Sequence, residues 1–424
     1  MRPRKVVEVH PPTGGTEKPW LVVVRAEPDT DHIIPAIFRA AQNGQRIYLV
    51  DVSGRHSKFV ARRIAMLESF ENVTLQRRGS FKTRHSEWGK LSRIRHCRPV
   101  LKHWLRSKNF SLIIHEWWGG IAEQRSMWRR VRDWFFADFP IQLQLIARSL
   151  KIPVVAMPHG HSLKVDSIAS KTALQVARDS AGLLPFSDRE SFEAYVVASE
   201  SDREFLRKRS DMDVGNVEVW GSPRFSPEWI RRLYGESRID LRQVHMVSPD
   251  AQVVMCFLPK WNNSIEKAPV IELLIRLARE CQIVLWLREH PRKDETSLTT
   301  SEWKSLEAHH NVRRLRIDED TTDLIVACDI LLEIESSIVI DAVVLGKKVV
   351  MPRYLQDSSV ILKFDHVDGV VRTHDSDSTI EAVKNLRYSE PCGEEFMRYV
   401  AAQIHSDILS YYSSQLTEVA RRSL

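Results

Sequence analysis

Short apolar runs rich in β-branched residues alternate with longer amphipathic runs along most of the chain. That alternation restricts the fold more than any other property of the sequence. Trp20-Leu21-Val22-Val23-Val24 predicts a buried strand, Ile33 to Gln42 a helix, and residues 46–50 the next strand. A helix over 58–69, a strand over 73–76, a helix over 98–107 and a strand over 111–114 follow. A helix over 142–150 and strands over 153–157, 195–197 and 217–220 complete the set. Strands that are apolar on both faces and separated by helices belong to a parallel sheet covered by those helices.

The pattern breaks at Gly221-Ser222-Pro223-Arg224-Phe225-Ser226-Pro227 and stays polar up to Pro249. A second α/β set then begins at Val253. It has strands over 253–258, 282–287, 312–316, 329–333 and 348–351, with helices over 266–280, 302–309 and 337–345. A chain of 424 residues exceeds one ordinary core, so two domains are expected. The division is a flexible arm over 1–18, an N-terminal domain over 19–235, a C-terminal domain over 250–388 and terminal helices over 389–424.

Hydrophobic residues at 43% and charged residues at 28% place the chain among soluble globular proteins. No apolar stretch reaches spanning length, and no apolar segment follows the charged start Met1-Arg2-Pro3-Arg4-Lys5. The five cysteines are scattered, odd in number and mostly within apolar runs, which suits reduced core thiols in a cytoplasmic protein. The net charge of +7 is concentrated between Arg55 and Lys108, a basic face for anionic partners.

Three strand ends in the second half carry phosphate-binding chemistry. Pro259-Lys260-Trp261 follows the first strand, Arg288-Glu289-His290-Pro291-Arg292 the second, and Glu335-Ser336-Ser337 the fourth. Ligands of open parallel sheets bind at such carboxyl ends. Lys260, Arg288, His290 and Arg292 supply charge and donors. Ser336 and Ser337 open a helix whose free N–H groups attract a phosphate. Asp341, one turn along an otherwise apolar helix, needs a partner or a ligand, because burying an unpaired carboxylate is costly. Its carboxylate suits the hydroxyls of a ribose.

In the first half, Met157-Pro158-His159-Gly160-His161-Ser162 follows a strand directly. Gly160 permits a sharp turn and leaves His159 at the strand tip, where an imidazole can take a proton from a hydroxyl. Glu116, at another strand end, is the reserve candidate. His161 and Arg224 belong with the acceptor side of the cleft. A metal at His159-x-His161 is not expected, since no further ligands stand at suitable spacing. The basic, aromatic stretch Ser126–Phe136 suits either a core helix or a peripheral contact with the anionic inner face of the cytoplasmic membrane.

Taken in order, His159-Gly160, Gly221-Ser222-Pro223-Arg224, Pro259-Lys260-Trp261, His290-Pro291 and Ser336-Ser337 with Asp341 resemble the GT-B superfamily. Within it the series is similar to CDP-glycerol glycerophosphotransferases and to capsule-polysaccharide transferases of the Kdo type. The resemblance implies an α/β fold of two Rossmann-like domains facing across a cleft, with the last helices crossing back to the first domain. It implies the donor in the C-terminal domain, the acceptor in the N-terminal one, and His159 as base. The chain departs from the glycerophosphotransferase pattern at Ile334-Glu335, where that pattern has Asp-Tyr, and at Lys260-Trp261-Asn262, where it has Thr-Trp-Arg. Those departures point away from glycerol phosphate.

The expected activity is metal-independent transfer, without a cofactor, of a sugar or a sugar or polyol phosphate. It passes from a nucleotide-activated donor to a cell-envelope or capsule polysaccharide or a lipid-linked acceptor. Two alternatives stand beside it: a sugar-nucleotide epimerase of the same fold, and a basic, non-enzymatic nucleic-acid-binding protein. The first lacks the Gly-Thr-Arg-Pro type of opening, and the second lacks a recognisable binding module.

Overall fold

The computed structural model describes residues 18–24, 27–51, 58–77, 98–117, 139–158, 187–210, 212–235, 239–259, 261, 265–289, 297–334, 336–355, 370–385 and 394–422. The first unit contains β1 (Trp20–Val24), α1 (Glu27–Gln42), β2 (Ile47–Asp51), α2 (Lys58–Glu68) and β3 (Val73–Arg77). It continues with α3 (Arg98–Lys108), β4 (Leu112–Glu116), α4 (Phe139–Ser149), β5 (Val154–Met157), β6 (Ala194–Val197), α5 (Glu200–Arg209) and β7 (Val217–Val219). Its seven strands form one parallel sheet in the order β3-β2-β1-β4-β5-β6-β7.

Helices α6 (Pro227–Gly235) and α7 (Leu241–Val244) occupy the segment that the sequence marked only as a break. Four residues of α6, Trp229, Ile230, Leu233 and Tyr234, are buried on one face, so this is a packed helix. The second unit holds β8 (Gln252–Phe257), α8 (Lys267–Glu280), β9 (Ile283–Arg288), α9 (Thr300–Glu307), β10 (Val312–Arg314) and α10 (Thr321–Ala327). It ends with β11 (Ile330–Leu332), α11 (Ile338–Val344), β12 (Lys348–Pro352), β13 (Val370–Thr373) and α12 (Ser376–Asn385). Its strands are parallel in the order β10-β9-β8-β11-β12-β13.

A π-helical turn (Phe396–Val400) leads to the last helix, α13 (Ile408–Arg422). As expected, α13 returns to the first domain, where it lies along α1 and reaches β4. Gly221 makes the close approach possible. Its φ is +83°, and a Cβ there would lie 2.6 Å from the Ala402 carbonyl oxygen and run into Ile408 Cδ1. The Tyr412 hydroxyl donates to the Gly221 carbonyl at 2.8 Å, and the Ser222 N–H donates to the Ala402 carbonyl at 3.0 Å.

One apolar cluster is shared by the two units. It joins Val22, Ile37 and Leu112 of the first with Trp229 and Tyr234 of α6, Met255, Leu324 and Ile340 of the second, and Tyr412 and Leu416 of α13. Among the described residues, no helix is long and apolar enough to cross a membrane.

Candidate active site

Each sheet reverses its strand order beside its first strand, between β1 and β4 in one and between β8 and β11 in the other. Loops diverge at such switch points and leave a crevice at the carboxyl ends of the strands. The residues at those ends line up across the sheets because parallel register keeps partners on one face.

In the first sheet Val24 pairs with Asp51 and Glu116 with Met157. The β1–β4 register, continued by two residues from Val22–Ile114, brings Val24 beside Glu116. Asp51 and Glu116 are both buried, at 0% and 2% exposure. A pair of buried carboxylates at the end of an otherwise apolar sheet is costly unless each finds donors. Sequence reasoning named Glu116 and missed Asp51.

In the second sheet Arg288 pairs with Phe257, and the β8–β11 register runs on to Glu333 opposite Phe257. The Arg288 guanidinium stacks 4.7 Å from the Phe257 ring centroid. Its Nη1 donates to the Glu319 carbonyl at 2.8 Å and its Nη2 to Thr321 Oγ1 at 2.7 Å. Arg288 therefore ties β9 to the start of α10, while one face of its guanidinium covers Phe257. Glu333 is 1% exposed and takes the Ile334 N–H on Oε1 at 3.1 Å. Burial, reinforced by the Glu333 carboxylate, pushes the Cys256 thiol well above its ordinary range. Glu333 was absent from the sequence-derived candidates. The available signal was the charge itself, which ends the uniformly apolar strand Ile330-Leu331-Leu332.

Ser336 and Ser337 lead into α11. The Ile338 N–H donates to Ser336 Oγ at 3.3 Å, and the Ser337 side chain makes no cap hydrogen bond. Asp341 has a partner. Arg224 Nη2 donates to Asp341 Oδ2 at 3.0 Å, while Arg224 Nε donates to Asp31 Oδ2. Asp31 Oδ1 in turn accepts from Arg63 Nε at 3.0 Å and Nη2 at 2.7 Å. Two guanidinium groups thus alternate with two carboxylates, Arg63–Asp31–Arg224–Asp341, from α2 through α1 and the Pro223–Phe225 turn to α11.

The environment separates the two acids. Burial alone would raise the Asp31 carboxyl, but the Arg224 and Arg63 guanidinium groups outweigh it and hold it well below the usual range. For Asp341 burial prevails over the single adjacent Arg224, and its carboxyl is raised. A second tie runs beside the first, with Arg62 Nη2 2.8 Å from Asp323 Oδ1 and Arg62 Nε 3.7 Å from Asp320 Oδ2.

Of the sequence-predicted residues, the structure brings Arg224 and Asp341 into contact, although they were assigned to opposite walls of the cleft. Arg288, Ser336, Ser337 and Glu116 stand at strand ends as expected. His159, Gly160, His161, Lys260, His290 and Arg292 lie outside the described residues, as does the Ser126–Phe136 stretch. Among the described residues, no group of three or more His, Cys, Asp or Glu is arranged to hold a metal ion.

No model of a protein family matches the chain, and no curated protein matches its sequence. Solved structures do match it in shape. The UDP-GlcNAc 2-epimerase of Neisseria meningitidis, bound to UDP-GlcNAc, superposes with a TM-score of 0.56 at 14% identity, over 95% of this chain and 99% of that one. A UDP-N-acetylglucosamine 2-epimerase from Rickettsia bellii gives 0.51 at 12% identity, over 95% and 96% of the two chains. The UDP co-structure of S. aureus MnaA gives 0.50 at 11% identity, over 95% of each chain. The chain has the GT-B fold. In that fold the Arg63–Asp31–Arg224–Asp341 series joins the first unit to the second.

Proposed function

We propose that the chain is a nucleotide-sugar-dependent glycosyltransferase. The C-terminal domain holds the activated donor, and the N-terminal domain presents a cell-envelope or capsule polysaccharide or a lipid-linked glycan. The observation that carries the proposal is the chemistry of the strand ends at the two switch points: Asp51 and Glu116 in the first sheet, and Arg288, Glu333 and the Ser336–Ser337 helix start in the second.

Donor phosphate would sit at the start of α11, with Lys260, His290 and Arg292 as the cations the sequence assigns to it and Arg288 holding β9 to α10. Positive groups there stabilise charge on the departing nucleotide. Each carboxylate oxygen has two lone pairs, so Asp341 can keep Arg224 and still accept a ribose hydroxyl. His159, or Glu116, takes the proton of the acceptor hydroxyl as its oxygen bonds to the transferred carbon and the bond to the nucleotide breaks.

A second reading is epimerisation of the nucleotide sugar itself. The names of the structural neighbours favour it, and the polar row at the carboxyl edge of the first sheet would then act on the sugar directly.

Thermal shift against UDP, CDP, CMP and GDP, each with and without chelator, tests the shared premise. A ligand at a hundred times its dissociation constant adds about 2.7 kcal/mol. Product analysis then separates the readings. Nucleotide release that needs a glycan acceptor supports the transferase. Inversion of the sugar in UDP-GlcNAc without acceptor sinks it in favour of the epimerase. No response to any nucleotide sinks both.

A further inference from the structure

The amino edge of the first sheet carries a strip of cations that form no ion pair among the described residues. The Trp20 N–H donates to the Arg46 carbonyl, the Ser111 N–H to the Pro19 carbonyl and the Ile113 N–H to the Pro153 carbonyl. The chain therefore enters β2, β1, β4 and β5 along one line. Lys18, Arg46, Lys108 and Lys151 stand just before those four strands. Strands about 4.8 Å apart set the four entry points across about 14 Å. Lys102, half-buried, and Arg106, exposed, extend the charge along α3.

No carboxylate occurs in residues 18–19, 43–46, 102–111 or 148–153. Among the described residues, none of these six cations makes an ion pair, although twenty such pairs occur elsewhere. Glu71 and Glu193 stand one strand further out on either side, before β3 and β6, and bound the strip.

Lys151 adds an independent sign. It follows α4 at φ +56°, with the Ile152 N–H donating to the Ala147 carbonyl at 3.0 Å. That is the left-handed closing position of a helix, where glycine or asparagine is the stable choice. An exposed lysine there sacrifices stability for a charge on the line.

We propose that this edge docks an extended anionic glycan carrying carboxylate or phosphate groups. Trp104 and Phe110 are buried, and Lys108 lies over the Tyr48 ring at 5.5 Å, so the described residues of the strip offer no free aromatic face for a nucleobase. Among the described residues it also has no exposed large apolar side chain for insertion into a bilayer. Choosing a glycan rests on the transferase reading, whereas the charged strip does not depend on it.

The test measures binding of the full chain to polygalacturonate over a salt series. Neutral dextran, poly(dT) and vesicles of equal parts phosphatidylcholine and phosphatidylglycerol serve as comparators. Lys151→Gly is expected to raise Tm by about 1–3 °C while weakening polygalacturonate binding about two- to fivefold at low salt. Arg106→Gln with Lys108→Gln should weaken it further and flatten its salt dependence. UDP affinity, read in parallel, should not move. Equal binding by wild type and the double variant overturns the proposal, as does tighter binding of poly(dT) or of the vesicles. Loss of the UDP response in wild type counts against the cleft assignment and leaves the strip standing.

Discussion

Arg224 and Asp341 meet across the domain boundary, guanidinium Nη2 to carboxylate Oδ2 at 3.0 Å, with side chains only 10% and 5% exposed. Because Arg224 also holds Asp31, its removal strands the buried Asp341 carboxylate and leaves Asp31 to Arg63 alone. Arg224→Ala should cost about 3–5 kcal/mol in chemical denaturation, the usual penalty for breaking a buried pair from one side. Arg224→Lys, which keeps the charge but loses the fork, should recover only part of it. A loss below about 1 kcal/mol would show that the series contributes little.

Asp31 and Asp341 should respond to acid with opposite signs. Asp31 has a folded pKa below its ordinary 3.8. Its stabilisation is complete above that value and disappears as pH falls through the lower folded pKa. The penalty of Asp31→Asn should therefore hold constant from pH 7 to about pH 5 and shrink below 3.8. Asp341 has a folded pKa above 3.8, so the native state gains protons first on acidification. The wild-type advantage over Asp341→Asn should grow as pH falls through that raised pKa. Urea titrations of both variants across this range check the two slopes.

Gly221→Ala should destabilise strongly, for the φ of +83° disfavours any side chain and the new Cβ meets Ala402 and Ile408. The left-handed conformation alone costs about 1–2 kcal/mol, and the collision adds to it. Limited proteolysis should release the segment after Ala401 faster in the variant than in wild type.

Ser337→Ala should leave the stability of α11 unchanged, since the hydroxyl caps nothing. If the donor phosphate sits at this helix start, the combined Ser336→Ala and Ser337→Ala variant should bind nucleotide about tenfold more weakly, a loss of about 1.4 kcal/mol. Unchanged affinity would move the phosphate elsewhere.

Arg62→Ala should cost about 1–3 kcal/mol by depriving the buried Asp323 carboxylate of a donor and Asp320 of an ion-pair partner. Small-angle scattering should then report a broader distribution of domain separations.

All strands but one were legible because β-branched runs between helices leave few other arrangements; β13, Val370–Thr373, went unforeseen. Strands over 20–24, 73–76, 253–258 and 348–351 match the structure to within a residue or so at each end. Helices with weak apolar stripes were not. α5, Glu200–Arg209, buries only Asp202 and Leu206, so its periodicity is nearly invisible, although the capping serine at Ser199 was a usable signal. The box Thr299-x-x-Glu302 likewise marked a start for α9 before the expected residue 302. α6 hid behind Pro223 and Pro227, which announce a break yet also suit the first turn of a helix.

The site was legible where its chemistry is local and obscure where it is relational. Ser336, Ser337 and Arg288 follow strands in the sequence, and position alone singled them out. The partnership of Arg224 with Asp341 spans 117 positions, and that of Arg63 with Asp31 joins two helices. Nothing in local spacing reveals either. The need of Asp341 for a partner was foreseeable from its apolar helix; the identity of the partner required the fold.

The return of α13 to α1 has a consequence for biosynthesis. Residues 43–407 separate the two helices. At about 5–20 residues per second, the ribosome needs tens of seconds to deliver the second helix after the first. Throughout that interval the apolar flank of α1 has no cover from its own domain. The half of the protein made first is therefore finished last, and a nascent chain stalled short of Ile408 would expose that flank to chaperones.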